Sequence, residues 1–354
     1  LDEEFVGDLA RELGLAVRVA RADVPALRAA SRDNLEQAAR LVRREFFLGA
    51  IQSGAVDRVA TGHTRSDQAE TVLLRLFRGA GTEGLAGMRP VSPEGLVRPL
   101  LGVSRAEVEA FLRGRGIGWR EDDTNRDLTF SRNRLRHQLL PALARDFNPA
   151  IEEALARTAA LAGEQEAFWQ AEADPAASTV LAFQPPAVLV RVGALAGLAR
   201  PLARRVVRRA IGAVRGDLRR IEFAHVEGVL LLAEKTVGRG RIRLPGVEVV
   251  RSFDWLRLAP ATAGPGREFA LPVPVPGEVA LPGAGRFIAR LQTGFVASGG
   301  LDWDSIPQPL EVRSWRPGDR YEPVGRSKPF RLKELFQIHR IPVWERAGWP
   351  VVTG

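Results

Sequence analysis

Asp67 and Glu70 stand three residues apart in the stretch from Thr61 to Glu70. On a helix this spacing puts both carboxylates on one face, and near the helix start the dipole favours their ionised forms. Such a pair can bind Mg²⁺, hold a substrate ammonium or act as a base. Asp67 has a second reading, because Thr64-x-x-Asp67 is also a helix N-cap pattern. His63 follows a strand-like run, Val56, Val59 and Ala60, and so falls where open α/β sheets bind ligands. His63, His137, His225 and His339 have no metal-ligand spacing, so no zinc site is expected. The same helix leaves through Arg78-Gly79-Ala80-Gly81, a base followed by glycines that can approach a ligand closely. A strand, an acidic helix start and a glycine-rich exit describe the rim of an α/β nucleotide site.

Two further clusters carry charge with a pattern. Glu121-Asp122-Asp123-Thr124-Asn125-Arg126 leads into Ser131-Arg132-Asn133-Arg134-Leu135-Arg136-His137. Arg132 and Arg136 are one turn apart and can clamp phosphates, or can simply be a solvated helix start. Near the C-terminus, Arg313-Ser314-Trp315-Arg316-Pro317-Gly318-Asp319-Arg320 precedes Arg326, Lys328, Arg331 and Lys333. Arginines interleaved with an aromatic suit backbone contact plus base stacking on RNA, although Pro-Gly-Asp is also a turn. Ser298-Gly299-Gly300-Leu301-Asp302 imitates an SGGxDS phosphate loop, but Trp303 follows where serine is required, and Pro307 and Pro309 forbid the helix such a loop needs. It is read as coincidence.

The elements that must position these groups alternate over residues 1–103. Phe5, Val6, Leu9 and Leu13 form a helical stripe stopped by Gly14, and Ala16–Ala20 reads as a short strand. Leu35 to Ile51 is a long amphipathic helix entered at Asn34, and Val56–Ala60 is the next strand. This order implies a parallel sheet covered by helices. Ser104 and Glu107 form a capping box for a helix to Arg113. From about Pro149 the texture becomes Ala- and Leu-rich helix until about Leu181. In 193–215, Leu195, Leu198, Leu202, Val206 and Val214 make a buried stripe, with Arg200, Arg204 and Arg208 on the outer side. Residues 241–258 read as strands, and 259–284, rich in Pro and Gly, as a linker into a β-rich end.

The 354 residues carry 51 Lys and Arg against 42 Asp and Glu, a formal charge of +9, which favours a polyanionic partner. Zero cysteines exclude disulfides and thiolate chemistry and fit the cytoplasm. Apolar runs such as Val229–Ala233 are far too short to span a bilayer, so no membrane is expected. A chain starting at Leu1 inside a helix reads as a fragment.

The stretch 61–90 closely resembles the corresponding segment of the tRNA(Ile)-lysidine synthetase family, ATP pyrophosphatases of the PP-loop type. Residues 119–141 resemble that family's acidic-Asn turn and Arg-Asn-x-x-Arg helix start, and 313–320 resembles its C-terminal domain. The family commonly has an acid where Ser66 stands, which leaves Asp67 and Glu70 as the functional acids. The family's own phosphate loop would precede Leu1, so the fragment is expected to bind tRNA weakly and to be inactive alone. The resemblance implies an α/β fold with a HUP-like parallel-sheet domain over 1–145. A mainly helical tRNA-binding domain over 146–258 and a smaller α+β domain over 265–354 would follow. It implies ligation of lysine to C2 of the wobble cytidine of a CAU-anticodon tRNA(Ile), through an adenylated intermediate with release of pyrophosphate and AMP. ATP and Mg²⁺ are the implied cofactors, and tRNA(Ile) and free L-lysine the partners, with a homodimer left open. Asp67 and Glu70 would be catalytic, Asp67 also a Mg²⁺ ligand, while His63, Arg78 and Gly79 would line the nucleotide pocket. Arg132, Arg136, Arg313, Arg316 and Arg320 would contact tRNA. The rival readings are another PP-loop tRNA-modifying enzyme and a non-catalytic tRNA-binding protein; thiolation enzymes generally need cysteine, which is absent here.

Overall fold

The structure, a computed structural model, describes residues 2–31, 35–121, 125, 127–235, 238–262, 268–283, 285–294, 303–321 and 329–354. The expectations placed on Asn34, Asp122, Asp123, Thr124, Arg126, Ser298 through Asp302, Arg326 and Lys328 lie outside these residues. The chain forms two compact units, Leu1–Gln170 and Ala171–Gly354.

In the first unit the order is α1 (Asp2–Glu12), α2 (Val24–Ser31), α3 (Leu35–Gln52), β1 (Val59–Ala60), α4 (Arg65–Phe77), α5 (Thr82–Leu85), β2 (Leu96–Val97) and α6 (Arg105–Gly114). Then come α7 (Ser131–Arg134), a π-helical turn over Leu135–Leu139, α8 (Leu140–Asp146) and α9 (Ile151–Val180), which continues into the second unit. β1 and β2 pair in parallel, Val59 opposite Leu96 and Ala60 opposite Val97, with α4 in the crossover that a parallel pair requires. Of the strand expected over Val56–Ala60, Val59–Ala60 enters this pair.

Helix α4 begins where its cap places it. The Thr64 N–H donates to Asp67 Oδ2 at 2.9 Å and the Asp67 N–H donates to Thr64 Oγ1 at 3.4 Å, closing a capping box. Ser104 and Glu107 do the same for α6. Ala69 and Leu73, one turn apart on α4, close against Leu135 and Leu140, with Leu143, Ile151 and Leu155 around them. That packing sets the carboxylate-bearing turn of α4 against the 131–140 segment.

Ala16–Ala20 is not a strand. Val17 and Val19 alternate as a strand would, but they are 47% and 52% exposed and no described strand pairs with them. Without a ladder partner the backbone groups go to water instead.

The second unit holds β3 (Leu181–Gln184), β4 (Ala187–Arg191), α10 (Val192–Ala196), α11 (Arg200–Arg215), α12 (Phe223–Glu234), β5 (Arg239–Leu244), β6 (Val247–Ser252) and β7 (Trp255–Pro260). The five strands form one antiparallel sheet in the order β3-β4-β7-β6-β5. Val206, Val207, Ala210 and Ile211 of α11 and Val229 and Leu230 of α12 are buried in one core with Val190, Val249, Leu256 and Leu258 of the sheet. The helices expected before residue 258 are present, and they lie on a sheet of which only 241–258 is legible in the sequence. Arg200 and Arg204 do not project freely: both bind Glu227 of α12 at 2.6 Å, so part of the basic outer face is neutralised.

After it come β8 (Ala270–Pro272), β9 (Gly277–Leu281), β10 (Gly285–Ala289), β11 (Glu311–Ser314), β12 (Arg320–Tyr321), β13 (Phe330–Arg331), α13 (Leu332–Ile338), α14 (Val343–Arg346) and β14 (Pro350–Thr353). β14, β11 and β8 form an antiparallel sheet, and β9 pairs with β10. The linker expected over 259–284 therefore contains β8 and β9. Leu271, Val273, Val275, Val279 and Leu281 keep the two-residue alternation of a strand and pack around Leu310 and Val312. Among the described residues no helix is long and apolar enough to cross a membrane.

Arg313 on β11 grips Asp319 with two parallel hydrogen bonds of 2.8 and 2.9 Å, and both side chains are largely buried. The Arg313 guanidinium is the main reason the Asp319 carboxyl sits below its ordinary range, with the Arg316 amide adding to it against the cost of burial. A depressed carboxylate contributes stability that is present above its unfolded pKa, about 3.9, and is lost as pH falls through the lower folded value. Asp319→Asn is therefore expected to destabilise this unit by about 1–2 kcal/mol at neutral pH. Urea titrations should show the difference from wild type shrinking as pH drops below about 4. A gap independent of pH would mean that shape rather than charge is what Asp319 supplies.

Candidate active site

Glu70 is fully buried, and both of its oxygens are taken. Arg132 donates from Nε to Oε2 at 2.6 Å, while Arg136 donates from Nε to Oε1 at 2.6 Å and from Nη2 to Oε2 at 3.1 Å. Asp67, one turn back on α4, uses Oδ2 for its own cap, accepting from the Thr64 N–H and Oγ1 at 2.9 Å each. Its other oxygen, Oδ1, faces Arg105 Nη2 at 3.1 Å, Arg132 Nη2 at 3.3 Å and Arg136 Nη2 at 3.5 Å. Burial pushes the Asp67 carboxyl up, but the Thr64 hydrogen bonds with the Arg105 and Arg132 charges outweigh it, and the net shift is down. Three guanidinium groups thus converge on the two carboxylates of α4.

The network borders a cleft of about 730 Å³. Asp67, Glu70, Arg105, Arg136 and Glu152 lie along it together with Val108, Leu112 and Trp119. Ser66 is buried at the same edge: its Oγ donates to Glu152 Oε2 at 2.7 Å and accepts the Arg105 N–H at 3.1 Å. Asn125 accepts from Arg136 Nη1 at 3.4 Å, and its carbonyl meets His137 Nε2 at 2.9 Å, tying residue 125 to the arginine helix.

His63 is half-buried past the end of β1, its Nδ1 2.9 Å from Thr61 Oγ1. Burial lowers its pKa, Asp67 opposes this, and Arg98, Arg132 and Arg40 lower it further, so the imidazole is neutral near pH 7.

The expected site residues are thus not all brought together. Asp67, Glu70, Arg132 and Arg136 form one network. Arg78 and Gly79 leave the far end of α4, roughly 16 Å along the helix from Asp67, and Arg78 lines a different groove. Arg132 and Arg136 have carboxylates as their main partners, so a phosphate must share them. Arg313 is turned inward onto Asp319, whereas Arg316 and Arg320 are exposed. Trp315 is not a stacking platform, because its ring packs edge-on to Phe336 at 5.3 Å. The surroundings of Asp67 do not fit a resident Mg²⁺: three guanidinium groups repel a dication, and no three metal-ligating side chains gather among the described residues.

Arg105, Glu152 and the Ser66 hydroxyl escape a reading of the sequence. The capping box Ser104-x-x-Glu107 locates the start of α6, and with it Arg105 in the first turn, but no local pattern tells which way that side chain reaches.

Three family models match this chain: a PP-loop domain over residues 1–143, a TilS substrate binding domain over 191–272 and a TilS substrate C-terminal domain over 310–354. The chain is similar to the tRNA(Ile)-lysidine synthase of Solibacter usitatus, 47% identical over 99% of this chain and 81% of that protein. It is 36% identical to the tRNA(Ile)-lysidine synthase of Geobacter sulfurreducens over 99% of this chain and 76% of the relative. With that of Symbiobacterium thermophilum it shares 37% identity over 99% of its length and 78% of the relative's. Matched along almost its whole length, and carrying the three domain types in order, the chain belongs to the tRNA(Ile)-lysidine synthase family.

Proposed function

We propose that the full-length form of this protein ligates lysine to C2 of the wobble cytidine in a CAU-anticodon tRNA(Ile), at the expense of ATP. The C2 oxygen attacks the α-phosphorus of ATP and pyrophosphate leaves. A lysine amine then adds at C2, gives up its proton, and AMP departs with the former C2 oxygen. Activation turns a poor leaving oxygen into a good one. The observation that carries the reading is the Asp67–Glu70–Arg105–Arg132–Arg136 network beside a cleft, within a chain of this family.

Each group has a role its geometry supports. The guanidinium groups of Arg105, Arg132 and Arg136 suit the phosphate of the adenylated base and the AMP that leaves it. Glu70 positions Arg132 and Arg136 and, having no open oxygen, is not the ammonium holder. Asp67 is the more accessible of the two, its side chain 12% exposed against 1% for Glu70, and the lysine amine would meet its Oδ1 by displacing one of the arginines there. Mg²⁺ enters with ATP, where it balances phosphate charge, and Asp67 is not needed to hold it. Arg316 and Arg320 meet the tRNA backbone.

Incubating the intact protein with labelled lysine, ATP and a CAU transcript is expected to label the RNA, and a transcript with uridine at the wobble position is not. A folded protein that labels neither would overturn the proposal. Replacing Arg316 and Arg320 with Gln should weaken tRNA binding several-fold and lower the slope of log K against log salt by about one for each phosphate no longer neutralised. An unchanged slope would mean that these arginines serve the fold.

A further inference from the structure

The last turn of α4 and the segment 131–142 enclose a second groove, of about 570 Å³, which shares no lining residue with the cleft beside Asp67. Its lining includes the apolar Leu74, Phe77, Leu135 and Leu139 together with Arg78 and Arg134, and no acid. Phe77 is 62% exposed although it closes a helix whose other face is core. Both arginines are exposed, and neither forms an ion pair with a described residue; Arg134 donates only to Ser131 Oγ, at 3.3 Å. The segment thus has two faces: Arg132 and Arg136 reach Glu70, while Arg134, Leu135 and Leu139 line the groove behind.

An apolar lining with an exposed aromatic ring and two arginines, and no acid, suits a ligand with a flat body and a negative charge. A nucleotide in single-stranded RNA has both, and exposed aromatic rings with adjacent arginines are the usual stacking platforms for it. The volume lies within the range of ligand clefts, roughly 300–1,000 Å³. The geometry points to this groove as the seat of an unstacked base of the tRNA anticodon loop, near the wobble cytidine, with its phosphate on Arg78 and Arg134. The inference rests on the proposed tRNA substrate: withdrawing the wobble cytidine into a cleft unstacks its neighbours, and the groove offers one of them a new surface. It also gives Arg78 a role on RNA instead of in a nucleotide pocket.

The test is a binding titration of the intact protein with CAU transcripts that carry 2-aminopurine at single anticodon-loop positions around the wobble base. One of these positions should change fluorescence on binding. Phe77→Ala should abolish that change and raise the tRNA Kd about tenfold, as loss of one stacked base does. The double change Arg78→Gln, Arg134→Gln should raise Kd and reduce the salt slope by about two. All three side chains are exposed, and unchanged melting temperatures would verify that the variants fold. The Kd for a non-hydrolysable ATP analogue should stay within twofold of wild type. A lost ATP affinity with intact tRNA binding would overturn the assignment and give the groove to ATP. Unaltered tRNA affinity and probe signal in both variants would overturn it as well. Because the readout is binding, a wild-type protein that binds the transcript without transferring lysine would count against the proposed reaction and leave the groove assignment standing.

Discussion

Glu70→Gln is expected to reduce lysine transfer at least a hundredfold while the tRNA Kd stays within about threefold. The side chain keeps its shape, but Arg132 and Arg136 lose the charge that binds both at 2.6 Å. Asp67 Oδ1 still meets all three guanidinium groups, but the buried carboxylate that fixes two of them is gone. Removing one partner of a buried ion pair costs about 3–5 kcal/mol, and partial exposure of the two arginines places the loss near the low end. The larger effect is on rate, because displacing positioned groups by about 1 Å costs on the order of a hundredfold. Arg136→Lys should fall between wild type and Glu70→Gln, since an ammonium keeps the charge without the two-point grip on Glu70. The check is steady-state lysine transfer beside filter binding of tRNA. Wild-type turnover in Glu70→Gln would reduce Glu70 to a residue of the helix core.

Arg251→Leu is expected to be the most destabilising single change in the second unit. Arg251 is 8% exposed, and its Nη1 donates to the carbonyls of Leu232, Ala233 and Lys235 at 2.8, 2.8 and 2.6 Å. These are carbonyls from the end of α12, which no further helical turn can satisfy, and a cation there also opposes the negative end of the dipole. Leucine fills the space but leaves the carbonyls facing an apolar side chain. Each carbonyl stripped of its partner costs about 1–3 kcal/mol, so a loss of about 3–4 kcal/mol follows if water reaches one of them. For a unit of this size that is roughly 6–15 °C in melting temperature. Calorimetry of the variant would measure it, and a shift under 2 °C would show that the carbonyls find other donors.

Local rules read the site's scaffold well and its partners poorly. The two capping boxes, Thr64 with Asp67 and Ser104 with Glu107, lie where the sequence puts them, because a cap is decided within four residues. The pairing of Glu70 with Arg132 and Arg136 bridges 62 and 66 residues, and no spacing rule reaches that far. Asp67 reads as either a cap or a functional acid; in the structure Oδ2 serves the cap and Oδ1 meets Arg105. Ala16–Ala20 has a strand's alternation without a neighbour to pair with. Leu271 to Leu281 has both, but the prolines and glycines between them read as a linker. Arg313 and Trp315 look like an RNA surface by composition; burial against Asp319 and Phe336 is a tertiary fact that composition does not carry.

Chemical analysis of the wobble nucleoside tests the proposed lysine transfer most directly. A CAU-anticodon transcript is incubated with the intact protein, ATP and lysine, digested to nucleosides, and examined by mass spectrometry. The expected product is a wobble nucleoside with the mass of cytidine plus lysine less one water, formed only when ATP is present and lost in Glu70→Gln. Unmodified cytidine after incubation with folded, tRNA-binding protein would contradict the proposed reaction.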